Sequence, residues 1–141
     1  MKRKPRLVVD TNVVVSALFW GGKPLALLAL AAEREIRLYS SSILLAELQA
    51  TLAKPKLAAA LAASERSAAD HVADYRRLVT LTRFHALHSA ISRDPDDDRV
   101  IACAVAAHAD LIVTGDDDLL ALEAAEGISI RSVAAFLSTL A

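Results

Sequence analysis

The sequence predicts an α/β protein in which a parallel β-sheet is covered by helices on both faces. Short runs of Leu, Val and Ile recur along the chain, each bounded by polar or glycine residues, which is typical of buried strands. Segments with helical periodicity separate these runs, and strands that alternate with helices form parallel sheets. With 141 residues, 55% of them hydrophobic and 23% charged, the chain can bury one core, so we expect a single domain over residues 1–141.

The predicted strands and helices alternate regularly. Four apolar runs are assigned to strands, at residues 7–9, 36–39, 111–113 and 128–130. A fifth candidate strand is 79–84, although its start also continues the preceding helical pattern. The predicted helices are 24–34, 42–53, 64–78, 96–108 and 132–140.

Residues at the helix boundaries support these assignments. Pro24 follows a Gly-Gly turn and suits the first turn of a helix, where its missing N–H costs nothing. Ser41 or Ser42 can cap the next helix, and Asp94-Pro95 is a cap followed by a first-turn proline. Gly115 marks a strand exit and Gly127 a strand entry.

Composition excludes several classes of protein. Cys103 is the single cysteine, so no internal disulfide forms, and no Cys/His spacing matches a zinc site. There is no signal peptide pattern and no apolar run near the roughly 20 residues that span a bilayer, so we expect a soluble, cytoplasmic protein with no membrane partner. The net charge of −1 does not by itself indicate nucleic-acid binding.

Acidic residues are concentrated where the predicted fold gathers functional groups. Seven of the 11 aspartates lie in two clusters, 94–98 and 116–118. In a doubly wound sheet, functional groups collect at the carboxyl ends of the strands. Asp10 ends the first strand and Asp116 follows the fourth, while Asp98 and Glu47 lie near the start of helices that open on the same edge. We therefore expect these four carboxylates to converge.

Converging carboxylates repel one another and raise one another's pKa unless a cation neutralises them. An all-oxygen ligand set selects Mg²⁺ or Mn²⁺ over zinc, and such a site performs phosphoryl chemistry. Several of the acids also have an ordinary explanation, because Asp94, Asp96 and Asp117 suit helix caps and first turns. Asn12 and Thr114 can orient a carboxylate or contact a metal-bound water.

Four motifs together resemble a known family. They are Val9-Asp-Thr-Asn-Val13, Leu44-Leu-Ala-Glu47-Leu48, Asp94-Pro-Asp-Asp-Asp98 and Val113-Thr-Gly-Asp116-Asp-Asp118. In this order and spacing they look like the PIN-domain ribonucleases, and in particular the VapC-like toxins of bacterial toxin-antitoxin systems. The resemblance covers essentially the whole chain. His108 departs from it, because the family commonly has glycine there.

The resemblance implies a three-layer α/β/α PIN-like fold whose five-stranded parallel sheet has the order 3-2-1-4-5. It also implies an endoribonuclease dependent on Mg²⁺ or Mn²⁺, with an RNA substrate, a cognate antitoxin protein and a homodimeric state. Carried over residue by residue, its catalytic and metal-binding acids fall on Asp10, Glu47, Asp98 and Asp116, and Asp118 matches a further metal-binding acid. Asp97 is the alternative to Asp98.

Two other functions fit parts of this pattern. One keeps the fold without catalysis, as a metal-binding or RNA-binding module that acts through a protein partner. The other is a different phosphate enzyme, but Asn12 stands where an aspartate-nucleophile phosphatase needs its second aspartate, and neither GxGxxG nor a P-loop occurs. Intact acid motifs favour the metal-dependent nuclease.

Overall fold

The computed structural model describes residues 3–83 and 95–140. The strands are β1 (Arg6–Val9), β2 (Arg37–Ser40), β3 (Val79–Leu81), β4 (Leu111–Val113), β5 (Ala124–Ala125) and β6 (Ile128–Arg131). The helices are α1 (Thr11–Trp20), α2 (Gly22–Ala32), α3 (Ser42–Leu52), α4 (Ala58–Ala63), α5 (Ala68–Arg76), α6 (Pro95–Ala106), α7 (Asp117–Leu122) and α8 (Val133–Ser138). A short 3-10 helix, Pro55–Leu57, precedes α4.

The described strands form one sheet in the order β3-β2-β1-β4-β6-β5. The first five strands in this order are all parallel, as predicted, and β6 is the strand predicted as the fifth. The predicted count of five is wrong in one detail, because β5 adds a sixth, antiparallel strand at the edge. Its connection to β6 is the two-residue turn Glu126-Gly127, and both residues have positive φ, as tight hairpins require.

The central strand fixes the position of the candidate site. Residues of β1 pair with both neighbours, Leu7 with Leu38 and Leu111, and Val9 pairs with Val113. All three of Leu7, Val8 and Val9 are buried. The residues that follow Val9 and Val113 therefore leave the sheet side by side at its carboxyl edge.

Helices cover both faces of the sheet, which confirms the three-layer α/β/α architecture. One core cluster joins Leu7 and Val9 to side chains of α1, α2, α3, α5 and α8. The other joins Val8 and Ile112 to side chains of α6 and α7, together with Leu44 of α3. The period-two alternation along β1 thus sends neighbouring residues into different layers.

Some helix boundaries differ from the sequence prediction. Helix α1 was not predicted, because its residues are apolar on nearly every side and three consecutive valines, 13–15, favour a strand by propensity. All three valines are buried, so tertiary packing overrides that propensity. The single helix predicted at 64–78 is replaced by α5 alone, while the alanine-rich α4 precedes it. Residue 84, the predicted end of the third strand, and the cap at Asp94 lie outside the described residues.

Helices α2 and α6 end in the same type of turn. At the end of α6, the N–H of Ala109 donates to Ala104 O and the N–H of His108 donates to Val105 O. This pair of hydrogen bonds is a Schellman motif, in which the second-to-last residue of the motif, here His108, adopts a left-handed conformation. His108 has φ of +51° and Arg34, at the end of α2, has φ of +61°. The left-handed conformation at position 108 therefore explains why the family commonly has glycine there.

Within residues 3–83 and 95–140, no single helix has both the length and the apolar character that a membrane crossing requires. Helices α1 and α2 pass that test only when they are taken together, and they are bent by 99° at their junction.

Candidate active site

Asp10 is a buried carboxylate at the end of the central strand. Its side chain retains only 6% of its accessible surface, and its backbone N–H donates to Val113 O at 2.9 Å. Asp10 occupies the N-cap position of α1, but its side chain makes no capping hydrogen bond. Its Oδ2 atom instead accepts a hydrogen bond of 2.7 Å from the Thr114 hydroxyl. The Asp10 carboxylate thus binds a residue at the end of another strand and does not cap α1.

Thr114 connects the first and fourth acids of the predicted site. This residue is fully buried directly after β4. Its Oγ1 donates to Asp10 and accepts from the backbone N–H of Asp116 at 2.9 Å. Two residues more than a hundred positions apart in sequence are therefore held by one hydroxyl group.

Asp116 is oriented by the helix that follows it. It is the N-cap of α7, and its Oδ1 accepts from the backbone N–H of Asp118 at 2.9 Å. The side chain of Asp116 is half-buried, whereas Asp117 and Asp118 are exposed in the first turn of α7. Asp116 thus combines the ordinary capping role with a backbone N–H that donates to the hydroxyl group that binds Asp10.

Glu47 belongs to the middle of α3, which packs against both α1 and α6. Leu44, one turn before Glu47, lies in the same core cluster as Val8 and Ile101. Glu47 is half-buried, and its Oε2 atom is shielded from solvent. An interior carboxylate oxygen on this helix is consistent with a role beyond solubility.

Asp97 and Asp98 differ in burial. Asp97 is only 4% exposed and shares a helical face with Val100, Ile101 and Ala104, all of which are buried. Asp98 is half-buried at the edge of that face. The sequence match favours Asp98 and the burial favours Asp97, so both residues are candidates. The helical spacing 97, 100, 101, 104 was present in the sequence and would have indicated that Asp97 faces inward.

The described residues do not assemble a complete carboxylate cluster. Across the two described ranges, no three His, Cys, Asp or Glu side chains are close enough to hold a metal ion. The structure connects Asp10 to Asp116 through Thr114, while Glu47 and Asp97 or Asp98 are carried by α3 and α6, which contact each other. Asn12 is exposed at the second position of α1.

Comparison with known proteins identifies the family of this chain. The family model described as PIN domain matches residues 6–118. The chain belongs to the PIN-domain family. The matched span of this PIN domain contains every acid discussed above. PIN domains are generally nucleases and typically use divalent metal ions.

One relative and two solved structures illustrate the similarity. The uncharacterized protein MJ1680 of Methanocaldococcus jannaschii is 34% identical over an alignment of 130 residues, and the match covers 86% of this chain and 77% of that protein. VapBC2 from Rickettsia felis, solved bound to a DNA fragment from their promoter, matches with a TM-score of 0.62 and 17% identity, over 90% of this chain and 98% of that one. PAE2754 from Pyrobaculum aerophilum matches with a TM-score of 0.49 and 14% identity, over 98% of both chains.

Proposed function

We propose that this PIN domain is an endoribonuclease that hydrolyses RNA phosphodiester bonds with the help of Mg²⁺ or Mn²⁺. The proposed catalytic and metal-binding residues are Asp10, Glu47, Asp98 and Asp116, with Asp97 as the alternative to Asp98 and Asp118 as a further metal-binding acid. The observation that carries the proposal is the hydrogen-bonded connection from the Asp10 carboxylate through Thr114 to Asp116.

The side chains at this edge fit a hard divalent cation. The proposed ligands are carboxylates, which are the oxygen ligands that Mg²⁺ and Mn²⁺ prefer, and the Thr114 hydroxyl that binds the Asp10 carboxylate is also an oxygen group. A buried carboxylate such as Asp10 is costly without a compensating charge or hydrogen bonds, and one cation shared by several carboxylates would offset that cost. When bound, the metal would polarise the scissile phosphate and lower the pKa of an attacking water.

The protein's own residues supply orientation. Thr114 holds the Asp10 carboxylate in one direction, and the first turn of α7 does the same for Asp116. Carboxylates that are fixed before the substrate arrives need no reorganisation during the reaction. His71 is not available as a base, because it is buried against Ser64 and the Phe19 ring.

We also propose that this PIN domain is the toxin of a toxin-antitoxin pair, that it forms a homodimer and that it acts in the cytoplasm. The four motifs resemble VapC-like toxins, and the fold is similar to VapBC2 of Rickettsia felis. Co-expression with a small DNA-binding protein encoded beside it should yield a stable complex and suppress RNA cleavage. Failure of every such neighbour to bind would contradict the toxin role and leave the nuclease proposal intact.

The nuclease proposal is tested by incubating the purified protein with mixed single-stranded RNAs and Mn²⁺. Asp10→Asn should reduce cleavage at least about a hundredfold, because the amide can still accept from Thr114 but carries no charge for the metal. Asp117→Asn is the matched control, since Asp117 is exposed in the same turn as Asp116 and should retain full activity. EDTA should abolish cleavage by the wild-type protein.

Two outcomes would contradict the assignment. Equal cleavage by the wild type and Asp10→Asn would mean that another site or a contaminant acts on the RNA. Binding of Mn²⁺ and RNA by the wild type with no cleavage of any RNA would favour the non-catalytic module instead.

A further inference from the structure

A second charged region lies at the opposite, amino edge of the sheet. There a cavity of about 400 Å³ opens between the segment before β1, the turn after α2, and the starts of β2 and β3. Its charged lining residues are Lys4, Arg34 and Arg37, and no carboxylate lines it. A protein with a net charge of −1 thus presents three positive charges in one concavity.

These three cationic side chains form no ion pairs among the described residues. Within residues 3–83 and 95–140, none of Lys4, Arg34 and Arg37 lies within ion-pair distance of a carboxylate. The neighbouring Arg3 contrasts with them, because it pairs with Asp110 at 2.6 Å. The exposed acids Glu33 and Glu35 flank Arg34 in sequence, but neither lines the cavity.

The remaining walls of the cavity combine an apolar surface with a hydroxyl group. Ile36 and Leu78 contribute apolar side chains, and Thr80 contributes a hydroxyl. Guanidinium groups bind phosphate oxygens in a bidentate manner, and an ammonium adds a point charge. The volume falls in the range of small-molecule sites, so there is room for a sugar or base beside the phosphate.

We propose that this amino-edge cavity binds the phosphate group of a nucleotide, either free or within an RNA strand. The cavity is separate from the acid site, since about six residues of extended chain, or about 20 Å, lie between Lys4 and Asp10. The proposal therefore does not depend on the nuclease assignment. Because the carboxylates of the acid site lie at the opposite edge of the sheet, they do not repel an anionic ligand bound in this cavity.

Binding is measured by NMR, following the backbone amides of Arg37, Leu38 and Thr80 during titration with inorganic phosphate, AMP or a short single-stranded RNA in EDTA. These amides should shift with AMP, with RNA or with both. Binding of RNA alone identifies a nucleotide within a strand as the ligand, whereas binding of AMP identifies a free nucleotide. Response to phosphate alone, or to no probe, would overturn the proposal.

Two variants separate binding from folding. Arg37→Gln should weaken binding about tenfold or more, because it removes a charge-assisted hydrogen bond. Arg34→Gly should weaken it similarly without loss of thermal stability, since glycine adopts the positive φ of this position without strain. Arg66→Gln, an equal charge change at a residue outside the cavity, should bind as the wild type does. Wild-type affinity in both cavity variants would overturn the assignment.

Discussion

The two edges of the sheet handle charge in opposite ways. At the carboxyl edge, the carboxyl group of Asp10 is buried and receives a hydrogen bond from a residue distant in sequence. At the amino edge, the cations are exposed, and the acid Asp110 is tied to Arg3 and to the backbone N–H of Arg6. Burying a carboxyl group costs folding free energy, so the burial of Asp10 is an unfavourable contribution to stability at the carboxyl edge.

The comparison gives different expectations for stability at the two edges. The hydrogen bond between Asp10 and Thr114 is buried and has little access to water as a replacement partner, so removing one of its groups leaves the other unsatisfied. Polar groups at the exposed edge regain water when their partner is removed. Substitutions at the carboxyl edge should therefore cost more than substitutions at the amino edge.

The largest expected effect is that of Thr114→Val. This substitution keeps the shape but removes the hydroxyl that serves both Asp10 and the N–H of Asp116, so the free energy of unfolding should fall by about 3 kcal/mol. Thr114→Ser should recover most of the loss. Thr82→Val, which removes a hydroxyl from a half-buried position of the same edge, should cost less than about 1 kcal/mol. Urea unfolding measures all three, and equal costs for Thr114→Val and Thr82→Val would contradict the comparison.

At the amino edge, Asp110→Ala should have a smaller effect. It removes the acceptor for the Arg6 N–H at 2.8 Å and the exposed pair with Arg3, so we expect a loss of about 1 to 2 kcal/mol. Arg3→Ala removes the exposed ion pair alone and should cost less than about 1 kcal/mol. If Arg3→Ala cost as much as Asp110→Ala in the same urea experiment, the backbone contact would not be the important one.

His108→Gly should stabilise the protein by about 1 kcal/mol. The left-handed conformation of His108 strains a side-chain-bearing residue, and glycine adopts it freely. Ala106→Gly, at the last residue of α6, is the control, because φ is not positive there and glycine should destabilise the protein by about 0.5 to 1 kcal/mol. A lower thermal midpoint for His108→Gly would show that the histidine side chain contributes more than its backbone conformation costs.

The smallest expected effect is a pH dependence at the start of α5. A hydrogen bond from the Ser67 backbone N–H, aided by the Ser67 hydroxyl, lowers the pKa of Asp70. A lowered folded-state pKa stabilises the protein above the unfolded-state pKa of about 4, and that contribution disappears as the pH falls through the folded-state pKa. Thermal unfolding from neutral to acidic pH should show a smaller decline for Asp70→Asn than for the wild type. If the thermal midpoints of the two proteins fell in parallel with pH, Asp70 would not contribute to acid unfolding.

The apolar runs were sufficient to predict the parallel strands, because short apolar runs followed by polar residues are a direct consequence of burial in a parallel sheet. The order of the strands was predicted from the resemblance to the PIN-domain family and not from these runs. The sequence was not sufficient for α1 or β5. Helix α1 is apolar on nearly every side and therefore has little helical periodicity to detect, and β5 consists of two alanines, which have little preference for strands. Both elements form because of the tertiary structure around them.

For the candidate site, the sequence identified which acids follow strands but not how they are held. The position of Asp10 after a buried strand was visible in the pattern, whereas its hydrogen bond to Thr114 depends on the pairing of β1 with β4. The difference in burial between Asp97 and Asp98 also depends on how α6 packs on the sheet. Sequence patterns thus predicted which acids follow strands at the carboxyl edge, and long-range packing determined the burial and hydrogen bonds of their side chains.

The most direct test of the account is Mn²⁺ binding followed by electron paramagnetic resonance, in which bound Mn²⁺ loses its sharp free-ion signal. Asp116→Asn preserves the helix cap but removes the charge, so it should weaken Mn²⁺ binding at least about tenfold relative to the wild type, while Asp117→Asn should bind as the wild type does. Equal affinity in the wild type and Asp116→Asn would show that the acids joined at the carboxyl edge do not hold the metal.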